Sequence, residues 1–240
     1  MLIIAADMHI GGYDGSEEAF LAFLAAVSSS SHDICFAGDV MELWIGDTAF
    51  ESGLQRLFLE WCGRESSRRS IYFVEGNREF LVCRSHGVCF RAASPEELLI
   101  GRILLVHGDG IPGQNLPHRI FRFFTKCWLG TILLRFLPGR RTIVARIKRG
   151  FENKAVGRVD FLPEEAIRKW RMASHERFPD VRLLMFGHFH LPYLEPAADG
   201  LPAVCGLPAW KDGDGIVALA NPATGDFELK PWKDALMQEK

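Results

Sequence analysis

Five short apolar runs in the chain each end near a residue that can bind a metal ion. The runs lie at residues 2–6, 34–37, 71–75, 103–106 and 183–186. Runs of this length, separated by segments with helical spacing, are typical of buried strands in an α/β sheet. Ligands of such sheets bind beyond the carboxyl ends of the strands, so we expect the residues after these runs to gather at one edge of a sheet.

Seven potential metal ligands follow these runs. They are Asp7, His9, Asp39, Asn77, His107, His188 and His190. An Asp-x-His pair or a Gly-Asp step alone is weak support, because both occur often for structural reasons. Their order behind successive apolar runs favours an enzyme with two divalent ions. Mixed imidazole and oxygen donors suit Mn²⁺, Fe or Zn²⁺ better than Ca²⁺.

Charge is distributed unevenly along the 240 residues. From residue 119 to 158 there are eleven Lys and Arg against one Glu, although the net charge of the whole chain is -2. This asymmetry predicts an anionic ligand, nucleic acid or a membrane surface near the basic segment. The chain is long enough to bury a core as one domain with an insertion, and its hydrophobic fraction of 48% is ordinary for a globular protein.

The basic segment also lacks a clear strand pattern and carries large apolar residues at helical spacing. We interpret residues 110–161 as a helical cap inserted into a core formed by residues 1–109 and 162–240. Its apolar residues have two explanations. Either they contact lipid beneath a basic rim that lies on anionic lipid heads, or the segment is a helical hairpin that buries its apolar face on the core.

The core should alternate helices with strands. We expect one helix after Ser16, a capping residue that precedes an apolar stripe, and a second helix over residues 51–64. A third should start at Pro163, which two Glu residues follow, and run to about Phe178. Beyond residue 200, short β-like runs alternate with Gly, Pro and Asp turns. These terminal runs predict a second sheet packed against the first.

The ligand motifs as they stand are Asp7-Met8-His9, Gly38-Asp39, Gly76-Asn77-Arg78-Glu79, His107-Gly108 and Gly187-His188-Phe189-His190. In this order they resemble the calcineurin-like metallophosphoesterases. The resemblance implies an α/β fold with a four-layer α/β/β/α sandwich of two packed sheets, and hydrolysis of a phosphate ester or anhydride by two metal ions. It further implies that one ion is held by Asp7, His9 and His190, the other by Asn77, His107 and His188, and that Asp39 bridges them. We expect Mn²⁺ in both positions.

Arg78 stands where many members of that family carry His after Gly-Asn. A guanidinium cannot deliver a proton near neutral pH, but it can bind phosphate oxygens bidentately and stabilise developing negative charge. Arg78 therefore favours a leaving group that departs as an anion, such as the phosphate of a diphosphate substrate. The alternative is that Arg78 makes only a structural ion pair.

Longer motifs narrow the resemblance. Residues 38–47, 76–81, 107–109 and 187–192 are similar to those of the UDP-2,3-diacylglucosamine hydrolases of lipid A synthesis. The resemblance implies attack at the α-phosphate, giving UMP and 2,3-diacylglucosamine 1-phosphate. It assigns catalysis to Asn77, Arg78 and His188, and substrate binding to the same three residues and Lys154. Residues 114–118 differ from the acidic pair and Tyr of the family, so a changed substrate and the same substrate held differently both fit.

Other functions fit parts of the sequence. A phosphodiesterase or phosphatase of soluble nucleotides would use the same metal site. A nuclease would follow a phosphate backbone with the basic segment, but the apolar content of that segment argues against nucleic acid as a partner. A non-catalytic scaffold would have lost ligands, and none is missing.

Location is expected from two further features. No run approaches the ~18 apolar residues that span a bilayer, and the N-terminal residues lack the basic region of a signal peptide. We therefore expect a cytoplasmic enzyme, bound peripherally to the inner membrane where the cap contacts lipid. Its substrate would be a lipid-linked phosphate compound.

Overall fold

The computed structural model describes residues 1–111, 161–211 and 213–237 of the chain. Most of the predicted cap, including Lys154, lies outside these residues, so the division into core and cap stays a prediction. Among the described helices, none has both the length and the apolar character that crossing a bilayer requires.

Two mixed β-sheets form the centre of the described structure. The first contains β1 (Leu2–Ala5), β2 (Asp33–Ala37), β4 (Ile71–Val74), β6 (Ala92–Ser94), β12 (Ile216–Ala220) and β13 (Phe227–Pro231), in the order β13-β12-β1-β2-β4-β6. The second contains β7 (Glu97–Ile100), β8 (Ile103–Val106), β9 (Leu183–Phe186), β10 (Tyr193–Glu195) and β11 (Ala203–Gly206), in the order β10-β11-β9-β8-β7. A small ribbon pairs β3 (Trp44–Ile45) with β5 (Glu79–Phe80).

Helices cover the outer face of each sheet. The first sheet packs against α1 (Ser16–Ser29), α2 (Gly53–Glu65) and α5 (Trp232–Met237), and the second packs against α4 (Glu164–Arg177). A short helix, α3 (Val82–His86), and a 3₁₀ turn (Gly87–Cys89) precede β6. The layers follow the order α/β/β/α, which confirms the predicted four-layer sandwich.

Strand β1 is covered on both faces, which explains why its apolar run is unbroken. Leu2 and Ile4 contact side chains between the two sheets, whereas Ile3 and Ala5 face the layer of α1 and α2. Successive residues of a strand point to opposite faces, so a strand covered on both sides needs apolar residues at every position. Burying an Ile or Leu side chain contributes about 1.5–3 kcal/mol each, which fixes the strand between the two layers.

The five apolar runs are divided between the two sheets, so the expectation that they all belong to the same sheet was wrong. β1, β2 and β4 are parallel neighbours in the first sheet, whereas β8 and β9 are parallel neighbours in the second. The terminal runs do not build the second sheet alone either, because β12 and β13 extend the first sheet from β1 and only β11 joins the second. Strands buried on both faces have the same apolar pattern in either sheet, so the pattern does not identify their partners.

Candidate metal centre

Three predicted ligands converge where β1 ends and the loop after β9 begins. His9 Nε2 lies 3.0 Å from His190 Nε2. Asp7 Oδ1 lies 3.8 Å from His9 Nε2 and 3.4 Å from His190 Nε2. Donor atoms bound to one cation at about 2.1 Å stand about 3–3.5 Å apart, so these separations suit a single ion. We call Asp7, His9 and His190 the outer group.

Three further ligands meet beside the outer group. Asn77 Oδ1 lies 3.0 Å from His107 Nε2 and 2.9 Å from His188 Nδ1. Asn77 follows β4 of the first sheet, whereas His107 and His188 follow β8 and β9 of the second. We call Asn77, His107 and His188 the inner group. Both sheets therefore contribute donors to it, as they do to the outer group.

Asp39 lies between the inner and outer groups. Its Oδ2 is 3.6 Å from His107 Nε2, and Asp7, Asp39 and His107 form a second cluster whose ligand atoms all lie within 4.8 Å of one another. A carboxylate in this place has two oxygens to offer to two ions. The structure thus brings all seven predicted ligands together, and the assignment of each to a particular ion stays a prediction.

The donor set fits divalent cations on two observations. Asp7 Oδ1 is buried, yet within residues 1–111, 161–211 and 213–237 it accepts no hydrogen bond of normal geometry. His9 and His190 also face each other through their Nε2 atoms at 3.0 Å, and a neutral ring offers a lone pair there when its proton is on Nδ1. A cation among these three atoms would satisfy each of them.

Sharp turns of the backbone aim the ligands at the edge of the sandwich. Asp7, His9, Asp39, His188 and His190 have φ between 49° and 68°, in the left-handed region. Backbone hydrogen bonds from Asp7 N to Gly38 O and from His9 N to Asp39 O, both 3.0 Å, hold two of these turns. Left-handed backbone costs a non-glycine residue on the order of 1 kcal/mol, and such strain collects at functional sites.

Two glycines are needed because the ligands approach the backbone closely. A Cβ added at Gly76 would lie 2.0 Å from Asp39 Oδ1, and one at Gly187 would lie 2.1 Å from Asp7 Oδ2. These separations are far below van der Waals contact. The glycines that precede Asn77 and His188 therefore make room for carboxylates of other loops.

The electrostatic surroundings favour the metal-binding protonation states of Asp7 and His188 but not of His107. Burial alone would raise the pKa of Asp7, but the His190 ring, 3.4 Å from Asp7 Oδ1, and the charge of His107 hold that pKa well below its ordinary value. Burial, together with the charge of His107, lowers the pKa of His188 to about 4. For His107 itself, burial lowers the pKa, but the nearby Asp39 and Asp7 raise it overall. A carboxylate at Asp7 and a neutral imidazole at His188 are thus present at neutral pH.

The sequence reasoning missed the role of Glu79, although Glu79 belongs to a quoted motif. Its carboxylate accepts hydrogen bonds from the backbone N–H groups of Asp39 (3.0 Å), Val40 (2.8 Å) and Gly76 (2.7 Å). Burial and the charge of Asp39 together raise the pKa of Glu79 to about 7. Glu79 thereby ties the loop that carries Asp39 to the loop that carries Asn77.

Arg78 lies at the metal centre and is held there by carboxylates. Its Nε is 3.6 Å from Asp39 Oδ2, its backbone N donates to Asp39 Oδ1 at 2.9 Å, and its Nη1 pairs with Glu42 Oε1. The ion pair considered as an alternative role therefore exists, and it places the guanidinium beside the ligands. Glu42 was also missed, since nothing in the sequence indicates which cation a lone Glu will meet.

A metallophosphoesterase is the class of protein that this fold and this donor set define. No protein-family model matches the chain. Among curated proteins, a UDP-2,3-diacylglucosamine hydrolase of Ectopseudomonas mendocina is 31% identical over 221 residues, which cover 85% of this chain and 87% of that protein. The enzyme of the same name from Azotobacter vinelandii is 32% identical over 201 residues, covering 77% and 79%. The chain belongs to the UDP-2,3-diacylglucosamine hydrolase family.

Solved structures match more remotely. A phosphoesterase of E. coli, Yfce, is 13% identical with a TM-score of 0.39, over 95% of this chain and 97% of the other. Vps29 of Entamoeba histolytica, complexed with Zn²⁺, is 11% identical with a TM-score of 0.41, over 96% and 97%. Scores of this size add nothing to the family assignment.

Proposed function

We propose that the chain hydrolyses the diphosphate of UDP-2,3-diacylglucosamine at the metal centre, giving UMP and 2,3-diacylglucosamine 1-phosphate. The observation that carries the proposal is the guanidinium of Arg78, whose Nε lies 3.6 Å from Asp39 Oδ2 between the two ligand groups. Arg78 is a fixed cation that cannot donate a proton near neutral pH. It therefore suits a leaving group that departs as an anion, as one phosphate of a diphosphate does. The curated relatives carry the name of this reaction.

Two divalent ions, with Mn²⁺ as the proposed metal, fit the residues present. The outer group would hold one ion, the inner group the other, and Asp39 would contact both. When bound, two such ions activate water and neutralise charge on a phosphoryl group. The carboxylate of Asp7 and the neutral ring of His188 are the forms that this binding needs.

The chain's own residues would then position the substrate. Arg78 binds oxygens of the scissile diphosphate and stabilises the charge that develops on them. Asn77 and His188, with 2.9 Å between Asn77 Oδ1 and His188 Nδ1, would contact the α-phosphate. Lys154 is proposed to bind the substrate from the cap, beyond the described residues.

A peripheral location at the cytoplasmic face of the inner membrane follows from the proposed substrate. Acyl chains keep such a molecule in a lipid surface, so the enzyme must reach that surface. The eleven basic residues between 119 and 158, interspersed with apolar ones, are suited to anionic lipid heads. Co-sedimentation with vesicles that contain anionic lipid would test this part of the proposal.

The central experiment compares two substrates with the Mn²⁺-loaded protein. We expect release of UMP from UDP-2,3-diacylglucosamine in mixed micelles, with much slower hydrolysis of bis(p-nitrophenyl) phosphate. Hydrolysis of the generic ester alone would reject the lipid substrate and favour an enzyme of soluble nucleotides. UDP-N-acetylglucosamine is the matched control, because it keeps the diphosphate and lacks both acyl chains.

A further inference from the structure

Glu42 has a buried carboxylate that lies beside two residues of the site. These are Arg78, which is proposed to bind the substrate, and His9, a predicted metal ligand. Glu42 is 2% exposed, its Oε1 pairs with Arg78 Nη1, and its Oε2 lies 3.5 Å from His9 Nδ1. Removing a carboxylate from water is costly unless charge partners compensate. One oxygen thus contacts Arg78, which is proposed to bind the substrate, and the other lies near His9, which is predicted to bind a metal ion.

The ring of His9 needs a support on its Nδ1 side. Its Nε2 faces the outer group, 3.0 Å from His190 Nε2, so metal binding through Nε2 requires the proton on Nδ1. That Nδ1 is buried and forms no hydrogen bond with any described residue. A carboxylate behind a ligating His fixes the tautomer and the orientation of the ring. At 3.5 Å, Glu42 Oε2 acts on the N–H electrostatically, since a direct hydrogen bond would be shorter.

The loop beside Glu42 leaves space for its carboxylate. A Cβ added at Gly12 would lie 2.6 Å from Glu42 Oε2 and 3.0 Å from His9 O. The backbone N of Glu42 donates to Ile10 O at 2.9 Å, which fixes Glu42 against the same loop. Because Gly12 has no side chain, the carboxylate can reach the N–H edge of His9.

We propose that Glu42 is a positioning residue that holds the Arg78 guanidinium and the His9 ring in one fixed arrangement. The position of the Arg78 guanidinium is thereby fixed relative to the ion that the outer group would hold. The part that concerns Arg78 rests on the proposed function. The part that concerns His9 rests only on metal binding, so the two parts can be tested apart.

The first test measures Mn²⁺ binding by calorimetry in Glu42→Gln. Gln keeps the size of the side chain and removes its charge, so we expect the affinity for one of the two ions to fall about 10–100-fold. Glu65→Gln is the control, because Glu65 is a buried partner of Arg69, with 2.8 Å between Glu65 Oε2 and Arg69 Nε, away from the site. That control should lower the melting temperature and leave both Mn²⁺ affinities unchanged.

The second test keeps the Glu42 residue but shifts its carboxylate. In Gly12→Ala the new methyl group collides with Glu42 Oε2, so the same Mn²⁺ affinity should fall. Gly63→Ala is the control, because a Cβ at Gly63 in α2 meets nothing within 4 Å. This variant keeps the proposal testable if Glu42→Gln does not fold.

Turnover separates positioning from a purely structural role. With saturating Mn²⁺, we expect Glu42→Gln and Gly12→Ala to lower kcat for UDP-2,3-diacylglucosamine at least tenfold, with melting temperatures close to those of the matched controls. Unchanged Mn²⁺ affinity and unchanged kcat in either folded variant would overturn the proposal. If the unaltered chain binds Mn²⁺ without releasing UMP, the proposed function fails, whereas a weakened ion in Glu42→Gln still supports the link to His9.

Discussion

The inner and outer ligand groups differ in how firmly the fold arranges them. In the inner group, Asn77 Oδ1 is already within 3.0 Å of both ring nitrogens, and His107 is fully buried. In the outer group, the side chains of His9 and His190 are 12% and 23% exposed. The two rings of the outer group thus reach solvent, and His9 has the carboxylate of Glu42 beside it, with 3.5 Å between His9 Nδ1 and Glu42 Oε2. A centre built in this way can keep one ion firmly while the other stays accessible to chemistry.

The largest effect is expected from a substitution of Asp39, which connects the inner and outer groups. Asp39→Asn removes the charge that lies between them, so turnover should fall on the order of 10³-fold or more. Release of UMP measures it. Asp33→Asn is the control, because Asp33 begins the same strand at its far end and accepts a hydrogen bond from Ser70 N at 2.7 Å. Unchanged turnover in Asp39→Asn would reject a mechanism with two metal ions.

A smaller loss should follow from removing the guanidinium while both groups remain. Arg78→Ala should lower kcat about 10²–10³-fold, because charge on the transferred phosphoryl group loses a fixed partner. Arg78→Lys should restore little of it, since a lysine cannot make the bidentate contact. Steady-state kinetics and Mn²⁺ titration check both variants. Full activity of Arg78→Lys would show that only the charge matters.

Metal binding should stabilise the whole sandwich, because each group takes donors from both sheets. Mn²⁺ at about 100 times its Kd should add about 2.7 kcal/mol to the free energy of unfolding, which corresponds to a melting temperature several degrees higher. Thermal unfolding with Mn²⁺ and with a chelator measures the difference. Mg²⁺ at the same concentration is the comparison, because imidazole ligands suit it poorly. Equal melting temperatures with Mn²⁺ and with chelator would contradict a shared site.

The smallest expected effect separates the groups from each other. We expect two Mn²⁺ ions to bind with Kd values about tenfold apart, a difference of about 1.4 kcal/mol, with the tighter ion in the inner group. His190→Ala should remove the weaker binding step in calorimetry and keep the tighter one. Loss of the tighter step in His190→Ala would reverse the comparison.

The sequence predicted that the seven candidate ligands lie together better than it predicted their surroundings. They could be selected because each follows an apolar strand that ends at a shared edge, and strand ends are visible in the pattern. Helix α4 at Glu164–Arg177 agrees with the predicted helix from Pro163 to about Phe178, since its capping and charge signals are local. α2 at Gly53–Glu65 agrees within two residues for the same reason.

What the sequence could not reveal depends on distant partners. The division of strands between two sheets follows from which strand each one meets, and strands buried on both faces look alike. Glu42 is separated from Arg78 by 36 positions, and no periodicity connects them. Glu79 is more local, but its three acceptor contacts appear only when the loops after β2 and β4 are side by side.

The left-handed backbone of His9, His188 and His190 has a consequence for protein engineering. Glycine adopts that conformation with little penalty, so in metal-free buffer a glycine at any of these places would relieve strain while deleting a donor. A screen that rewards heat resistance alone would therefore enrich well-behaved but inert proteins. Experiments that select stabilised variants of this protein should therefore measure catalytic activity in every round of selection.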